Sequence, residues 1–195
     1  EEVLRMHSQV NNLLDMARLQ AGAVRLNRQW QPLEEVVGSA TQAMAAVLAQ
    51  HRLSVRIPPD LPLLEFDAVL IERVLVNLLD NAAKYTPSGS LIEVGAAPGA
   101  RDHIDVWVED NGPGLPAGRE EEIFQKFERG QKESTTPGVG LGLAICRAIV
   151  EAHGGSISAG KRRDGGARFV FSLPRGEPPL VEVDDEGGIA EETPR

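Results

Sequence analysis

The stretch that decides the fold is DAVLIERVLVNLLDNAAKYT, residues 67–86, because one predicted helix here carries two patterns. Asp67 is typical of a helix N-cap, and the helical period continues through Ala83. The first pattern is an apolar face, which predicts that the helix is buried on that side. The members of this face are Val69, Leu70, Val74, Leu75, Leu78, Leu79 and Ala82.

The second pattern is a polar stripe toward the C-terminal end of the same helix. Its members are spaced by four, three and one residues, so they share roughly one helical face. They are Asn77, Asn81, Lys84 and Tyr85. Two amides, an ammonium group and a phenol suit a metal–phosphate group beside an aromatic surface. Taken alone, however, such a stripe is more typical of a solvated helix face.

Helix and strand patterns are mixed along the rest of the chain, without the strict alternation of a doubly wound sheet. This mixture predicts an α+β sandwich. The apolar periodicity predicts helices over residues 33–51 and 141–152, and strands over 53–57, 92–95, 104–108, 156–159 and 168–173, the last two joined by a turn at 164–166.

The composition excludes several classes of protein. With 42% hydrophobic and 25% charged residues among 195, the chain has ordinary globular usage. No apolar run approaches the roughly 20 residues that span a bilayer. One cysteine, Cys146, excludes an intramolecular disulfide framework and a multi-cysteine zinc site, and favours a reducing, cytoplasmic setting. No basic patch stands out, so nucleic acid is not an expected partner.

The net charge of −9 is unevenly distributed. Residues 176–195 hold seven acidic side chains and one basic side chain, which contribute −6 of the total. An acidic end that contains proline and glycine is typical of a flexible tail. The acidity therefore says little about the folded part.

Two glycine-rich clusters lie next to predicted elements. The sequence Asp110-Asn111-Gly112-Pro113-Gly114 follows a strand, where a carboxylate can accept from an exocyclic amine and glycines let a flat ring approach the backbone, although turns share this composition. The sequence GVGLGL, residues 138–143, precedes a predicted helix. Backbone N–H groups at a helix N-terminus, reached through glycines, form an anion site.

A fourth cluster, IFQKFERG, covers residues 123–130 and combines two aromatic side chains with two cations in a chain that has few aromatics. Phe124 and Phe127 are typical of anchors that hold a loop in the core. The polar stretch that follows, residues 130–137, suits a mobile lid.

Taken in their order along the chain, these four clusters resemble the N, G1, F and G2 boxes of the catalytic ATP-binding domain of sensor histidine kinases. The resemblance covers about residues 33–174. Residues 11–18 and 137–153 further resemble potassium-responsive members of that family.

The resemblance implies a Bergerat-type fold, a mixed or antiparallel sheet layered on helices with ATP under a lid. Residues 33–175 would form the catalytic domain, after a linker at 25–32 and before the acidic tail at 176–195. Residues 1–24 would be the second helix of a dimerisation and phosphotransfer hairpin. The heptad seam of that helix consists of Val3, Met6, Val10, Leu13 and Ala17.

The resemblance also implies roles for individual residues. Asn81 would be the Mg²⁺ ligand, and Asn77 and Lys84 would face the phosphates. The adenine base of ATP would contact Tyr85, Asp110, Gly112 and Gly114. The remaining expected contacts to the triphosphate are Arg129, the weaker candidate Lys126, and the G2 residues Gly138, Gly140, Leu141, Gly142 and Leu143.

The implied activity is transfer of the ATP γ-phosphate to a histidine, for relay to a response-regulator aspartate. The family's phosphoacceptor is followed by an acidic residue, and none of His7, His51, His103 and His153 is. The acceptor is therefore expected on the chain's own first hairpin helix, outside this sequence, in a homodimeric parent anchored in the bacterial inner membrane.

Two alternatives stay open at this point. The first is a hydrolase of the same superfamily, in which a glutamate four residues before the Mg²⁺ ligand activates water. Asn77 occupies that position, and an amide is not a general base near neutral pH. The second alternative is a module that binds nucleotide without turnover.

Overall fold

The computed structural model describes residues 26–125 and 141–178, which form one mixed five-stranded sheet with helices on one face, and a separate two-stranded sheet. The helices are α1 (Leu33–Ala43), α2 (Ala45–Leu48), α3 (Ala68–Tyr85) and α4 (Gly142–Ala152), with a short 3-10 helix at Glu122–Phe124. The strands are β1 (Gln29–Gln31), β2 (Arg52–Arg56), β3 (Leu64–Phe66), β4 (Leu91–Pro98), β5 (His103–Asp110), β6 (Ile157–Lys161) and β7 (Ala167–Pro174). The α+β sandwich expected from the sequence is confirmed.

The order of strands in the large sheet is β2-β4-β5-β7-β6. Only the β2–β4 pair is parallel, and the other neighbours are antiparallel. Side chains alternate along β5, so that Ile104, Val106 and Val108 are buried beneath the helices. Asp105 and Trp107 lie on the opposite side of the sheet, which we call the open face.

Helix α3 is the central helix and packs on both α1 and α4. Its buried residues are Ile71, Val74, Leu75, Leu78, Leu79 and Ala82, which recur at the spacing of one helical face. The expectation that Val69 belongs to this face is wrong, because its side chain is 75% exposed. Val69 lies two residues, about 200° around the helix axis, from Ile71, and Ile71 takes the core position.

A buried polar contact joins the N-terminus of α3 to the C-terminus of α4. The Asp67 carboxylate caps α3 by accepting from the Leu70 N–H at 3.2 Å, as the sequence predicted. The Asp67 backbone N–H donates to Nε2 of His153 at 3.1 Å. Nδ1 of the same ring lies 2.8 Å from the Ile149 carbonyl and donates to it. The imidazole is therefore neutral, and burial lowers its pKa.

Farther along the two helices, the Cys146 sulfur lies 3.8 Å from the Val74 carbonyl oxygen. Each step forward along α3 therefore corresponds to a step backward along α4. The helices pack antiparallel, and the N-terminus of α4 lies beside the middle of α3.

Two local expectations from the sequence differ from the structure. The expected linker at 25–32 contains β1, which pairs with β3, a strand that was not predicted. The helix expected over 33–51 is interrupted at Met44, whose φ of −94° and ψ of 4° separate α1 from α2. Beyond this break Val47 is exposed, as are Leu53 and Val55 on the edge strand β2.

Several expectations fall on residues outside the described ranges. They are the hairpin helix at 1–24, the lid at 130–137, the anchor Phe127, and the tail beyond residue 178. Among the described helices, none combines the length and apolar character needed to cross a membrane.

We expect His153 to make stability depend on pH. The pKa of His153 in the folded chain lies below its unfolded value of 6.5. The stability that the neutral ring contributes is therefore complete above pH 6.5 and is lost as the pH falls from 6.5 through the pKa of the folded chain. His153→Gln should lower the free energy of unfolding at pH 7.5 by about 1–3 kcal/mol, because a buried hydrogen bond is lost. In urea titrations, the difference from the wild type should shrink at pH 5.

The matched control is His103→Gln, since His103 lies at the start of β5 and bonds only locally, to the Arg101 carbonyl. This variant should follow the wild type at both pH values. Identical pH dependence of stability in the wild type and in His153→Gln would contradict the assignment of this dependence to His153.

Candidate functional site

The polar stripe of α3 lies on the accessible side of the helix. Asn77 and Asn81 are partly buried, whereas Lys84 and Tyr85 are exposed. The Lys84 ammonium pairs with the carboxylate of Asp80 one helical turn earlier. The expectation that the apolar residues of the helix point elsewhere is confirmed, because Leu78, Leu79 and Ala82 are buried.

Asn77 lies beside the N-terminus of α4. A Cβ atom added to Gly142 would stand 3.5 Å from Oδ1 of Asn77, so the Asn77 side chain lies within van der Waals reach of this helix end. Nδ2 of Asn77 is buried and has no oxygen or nitrogen acceptor among the described residues; its neighbour is the thiol of Cys146, a weak acceptor. Among the described residues, no side chain caps α4 at Leu141. Helix N-termini carry unpaired N–H groups and a positive partial charge, so this arrangement fits an anion.

Cys146 packs behind this point, one turn into α4. Burial raises the pKa of its thiol to about 12, an effect that the nearby Asn77 amide only partly opposes. The thiol therefore stays protonated at neutral pH. The expectation that Cys146 is a buried structural residue is confirmed.

Asp110 ends β5 with its side chain on the helix-covered side of the sheet, where it is 5% exposed. Its Oδ1 accepts from the Gly112 N–H at 2.8 Å and from the Ala167 N–H at 3.3 Å. Burial raises the pKa of this carboxyl, and the two N–H groups and the Arg162 charge lower it less strongly. Because both bonds fall on Oδ1, Oδ2 is left to accept from a ligand amine.

The glycines that follow Asp110 are needed by packing within the chain. A Cβ at Gly112 would lie 2.5 Å from the Cγ2 atom of Thr86, the residue that ends α3. Gly114 has a φ of +78°, and a Cβ there would stand 3.0 Å from the Gly166 carbonyl oxygen. The loop after β5 thus contacts both the end of α3 and the turn before β7.

An open cavity of about 610 Å³ lies between the end of α3 and this loop. Its lining consists of Lys84, Tyr85, Thr86, Pro87, Ser88, Gly89, Ser90, Asn111, Gly112 and Pro113. The volume is in the range of small-ligand sites. Asn77, Asn81 and Asp110 are outside this lining, so the cavity is one side of the candidate site.

Sequence reasoning missed two contributors. Oδ1 of Asn111 accepts from the Leu91 N–H at 2.7 Å and holds the start of β4. The Ala167 N–H, which bonds Asp110, follows the Gly165-Gly166 turn. That turn was predicted, but its approach to Asp110 joins positions more than fifty residues apart and leaves no local signal.

Other predicted site residues are placed differently or lie outside the described ranges. Leu141 is buried in the core and Leu143 packs against it, so any contact with a ligand would come from their backbones. Within residues 26–125 and 141–178 no group of three His, Cys, Asp or Glu side chains is arranged to hold a metal ion. The predictions for Lys126, Arg129, Gly138 and Gly140 fall outside the described residues.

Comparison with known families defines the class of protein. Residues 66–177 match the family described as histidine kinase-, DNA gyrase B-, and HSP90-like ATPase. The chain belongs to this family of ATPase domains, as the four sequence motifs predicted.

Individual relatives narrow the class to sensor kinases. Sensor protein KdpD of Escherichia coli is 51% identical over 183 residues, which cover 93% of this chain and 20% of KdpD. The adaptive-response sensory kinase SasA of a Synechocystis species is 46% identical over 118 residues, 60% of this chain and 31% of SasA. The chain thus spans between a fifth and a third of the length of these relatives.

Solved structures agree with this classification. Full-length ShkA in complex with AMPPNP superposes with a TM-score of 0.76 and 27% identity, covering 87% of this chain and 36% of ShkA. The catalytic domain of histidine kinase ThkA superposes with a TM-score of 0.66 and 28% sequence identity, covering 78% of this chain and 97% of that domain. The Bergerat-type fold implied by the motifs is therefore confirmed.

We expect Asp110→Asn to stabilise the fold at pH 7 while it weakens nucleotide binding. The pKa of Asp110 in the folded chain lies above its unfolded value of 3.8. The ionised Asp110 carboxylate therefore lowers the free energy of unfolding above the folded pKa, and this loss disappears below pH 3.8. The asparagine oxygen still accepts from both N–H groups. Thermal unfolding at pH 7 should shift upward, and ATP affinity should fall about tenfold.

The matched control is Asp105→Asn, which removes the same charge from the same strand on the open face. Asp105→Asn should change neither the thermal unfolding temperature at pH 7 nor the affinity for ATP. A destabilised Asp110→Asn protein with unaltered ATP affinity would contradict the placement of Asp110 in the site.

Proposed function

We propose that this chain is the catalytic part of a sensor histidine kinase, which binds Mg·ATP and donates its γ-phosphate to a histidine. One observation carries the proposal. The buried Nδ2 group of Asn77 has no oxygen or nitrogen acceptor among the described residues, where the weakly accepting Cys146 thiol is its neighbour, and it lies next to the N-terminus of α4, which no described side chain caps. A phosphate oxygen placed between them would accept from Nδ2 of Asn77 and from the N–H groups at the start of α4.

The base and the phosphates would bind at different ends of the site. Asp110 would accept from the adenine amino group, and the glycines after it keep the base close to the backbone. Asn77 and the first N–H groups of α4 would bind phosphate oxygens. Lys84 can move from Asp80 to a phosphate, because both partners of that ion pair are partly exposed.

Asn81 would contribute the amide oxygen that holds Mg²⁺. This ion prefers oxygen ligands and retains several waters, so one side chain and the phosphates of the nucleotide are a sufficient set. Once bound, Mg²⁺ neutralises charge on the phosphates. The chain's own residues orient the triphosphate and exclude water around the base.

Transfer to histidine is favoured over hydrolysis by the side chain at position 77. An amide binds and orients, but it does not remove a proton from water near neutral pH. The geometry at Asn77 fits orientation, since Oδ1 lies near Gly142 while Nδ2 has only the weakly accepting Cys146 thiol beside it among the described residues.

The partners follow from the family resemblance. They are a histidine on the first helix of the chain's own hairpin, a second copy of the parent protein, and a response regulator that receives the phosphate. Likeness to KdpD supports a place in potassium-responsive signalling, in a parent anchored in the inner membrane.

The test is transfer in trans. Incubation of this chain with γ-labelled Mg·ATP should give no acid-labile label, because none of its four histidines has the family's acidic neighbour. Adding a separate hairpin that carries the acceptor histidine should give slow labelling of that hairpin, since the effective concentration of a tether is absent. Asn81→Ala should abolish the transfer, and Asn81→Asp, which keeps an oxygen ligand, should retain part of it.

Release of inorganic phosphate without labelling of the hairpin would favour the hydrolase alternative. Label on this chain alone, lost in His7→Ala, would contradict the assignment of residues 1–24 to the second hairpin helix.

A further inference from the structure

A network of charged and aromatic side chains lies on the open face of the sheet, outside all four motifs. Its centre is Glu109, the residue before Asp110, which is 7% exposed. Oε1 of Glu109 accepts from Nε of Arg162 at 2.9 Å, and Oε2 accepts from a terminal nitrogen of Arg168 at 3.0 Å. The carboxylate therefore bridges two arginines.

A stack of side chains restrains Arg168. Its guanidinium lies 4.7 Å from the centroid of the Trp107 ring, in cation–π contact. The indole in turn lies flat on β4, since a Cβ at Gly95 would stand 2.3 Å from Cζ2 of Trp107. Arg168 is thus held by the carboxylate and by the ring, both on β5.

The two arginines stand on either side of the turn between β6 and β7. Within that turn Gly166 has a φ of +102°, and a Cβ there would lie 1.9 Å from the Asp110 carbonyl oxygen. The next residue, Ala167, donates to Oδ1 of Asp110. The turn therefore contacts Asp110 from one side of the sheet while Glu109 holds both ends of the turn from the other.

We propose that Arg162 and Arg168, through Glu109, are positioning residues that keep the β6–β7 turn against Asp110 and so orient the carboxylate that reads the base. This inference rests on the proposed function, because it assigns the base contact to Asp110. Glu109, Arg162 and Arg168 together form the clamp.

The strand order explains why a clamp is required. β6 is an edge strand that pairs only with β7, and the pairing of β7 with β5 ends at Arg168 and Glu109, so the turn beyond that pair has no strand on the β5 side. The Ala167–Asp110 bond is long, at 3.3 Å, and a small displacement of the turn would remove it. Charge-assisted hydrogen bonds to a buried carboxylate are stronger than exposed ion pairs, so Glu109 can restrain the turn.

The test compares two adjacent arginines. Arg162→Met removes one arm of the clamp, and Arg163→Met removes the same charge from the exposed next residue. Calorimetry with Mg·ATP and Mg·GTP should show that Arg162→Met lowers the preference for ATP over GTP roughly five- to tenfold, because Asp110 loses its orientation toward the adenine amine. Arg163→Met should leave this preference unchanged, and Arg162→Lys, which keeps the ion pair, should recover part of it.

A second measurement uses the protein without nucleotide and does not depend on the proposed function. Hydrogen exchange of the Ala167 amide should be faster in Arg162→Met and unchanged in Arg163→Met. If Arg162→Met fails to fold, Glu109→Gln supplies the same comparison, with Glu122→Gln on the exposed 3-10 helix as its control.

Equal loss of ATP and GTP affinity in Arg162→Met, or unaltered exchange at Ala167, would overturn the positioning role. A wild-type chain that binds no nucleotide while Arg162→Met speeds exchange at Ala167 would instead contradict the proposed function and leave the clamp standing.

Discussion

The antiparallel packing of α3 on α4 is the constraint on which the site depends. At one end Asp67 caps α3 and donates its own N–H to the buried ring of His153, which ends α4. Ten residues along α3, Asn77 meets Gly142 at the start of α4. A shift of this register by one turn, about 5 Å, would separate the amide from the helix terminus. The core contact thereby determines the geometry of the polar site.

Both polar groups at the centre of the site are costly to the fold. Nδ2 of Asn77 is buried with only a weak thiol acceptor beside it among the described residues, and Asp110 ionises against the effect of burial. Buried nitrogen atoms without a hydrogen bond also occur at His51 and Trp107 among the described residues, so such an atom does not by itself mark a site. Asn77 differs from these because it lies beside a helix N-terminus that no described side chain caps, where an anion would satisfy both groups.

Much of this arrangement could be predicted from the sequence. The cap at Asp67, the two faces of α3 and the four motifs are local patterns that a single stretch of chain displays. The pairing of β1 with β3 could not be predicted, because three-residue strands show no periodicity and the partners lie 33 to 37 residues apart. The approach of Gly166 to Asp110 was missed for a similar reason, since it depends on the sheet order. Val69 was misplaced because apolar character does not determine which side of a helix is buried.

The most direct test of the account is the side-chain amide signal of Asn77 in NMR spectra during titration with Mg·AMPPNP. The account predicts that these protons shift downfield as they gain a phosphate acceptor, in parallel with the Gly142 backbone amide. Asn27 lies at the other end of α3, where its backbone N–H donates to Oδ2 of Asp67 at 2.9 Å, and its side-chain signal should stay in place. Saturable binding of the nucleotide without any change at Asn77 would contradict the account.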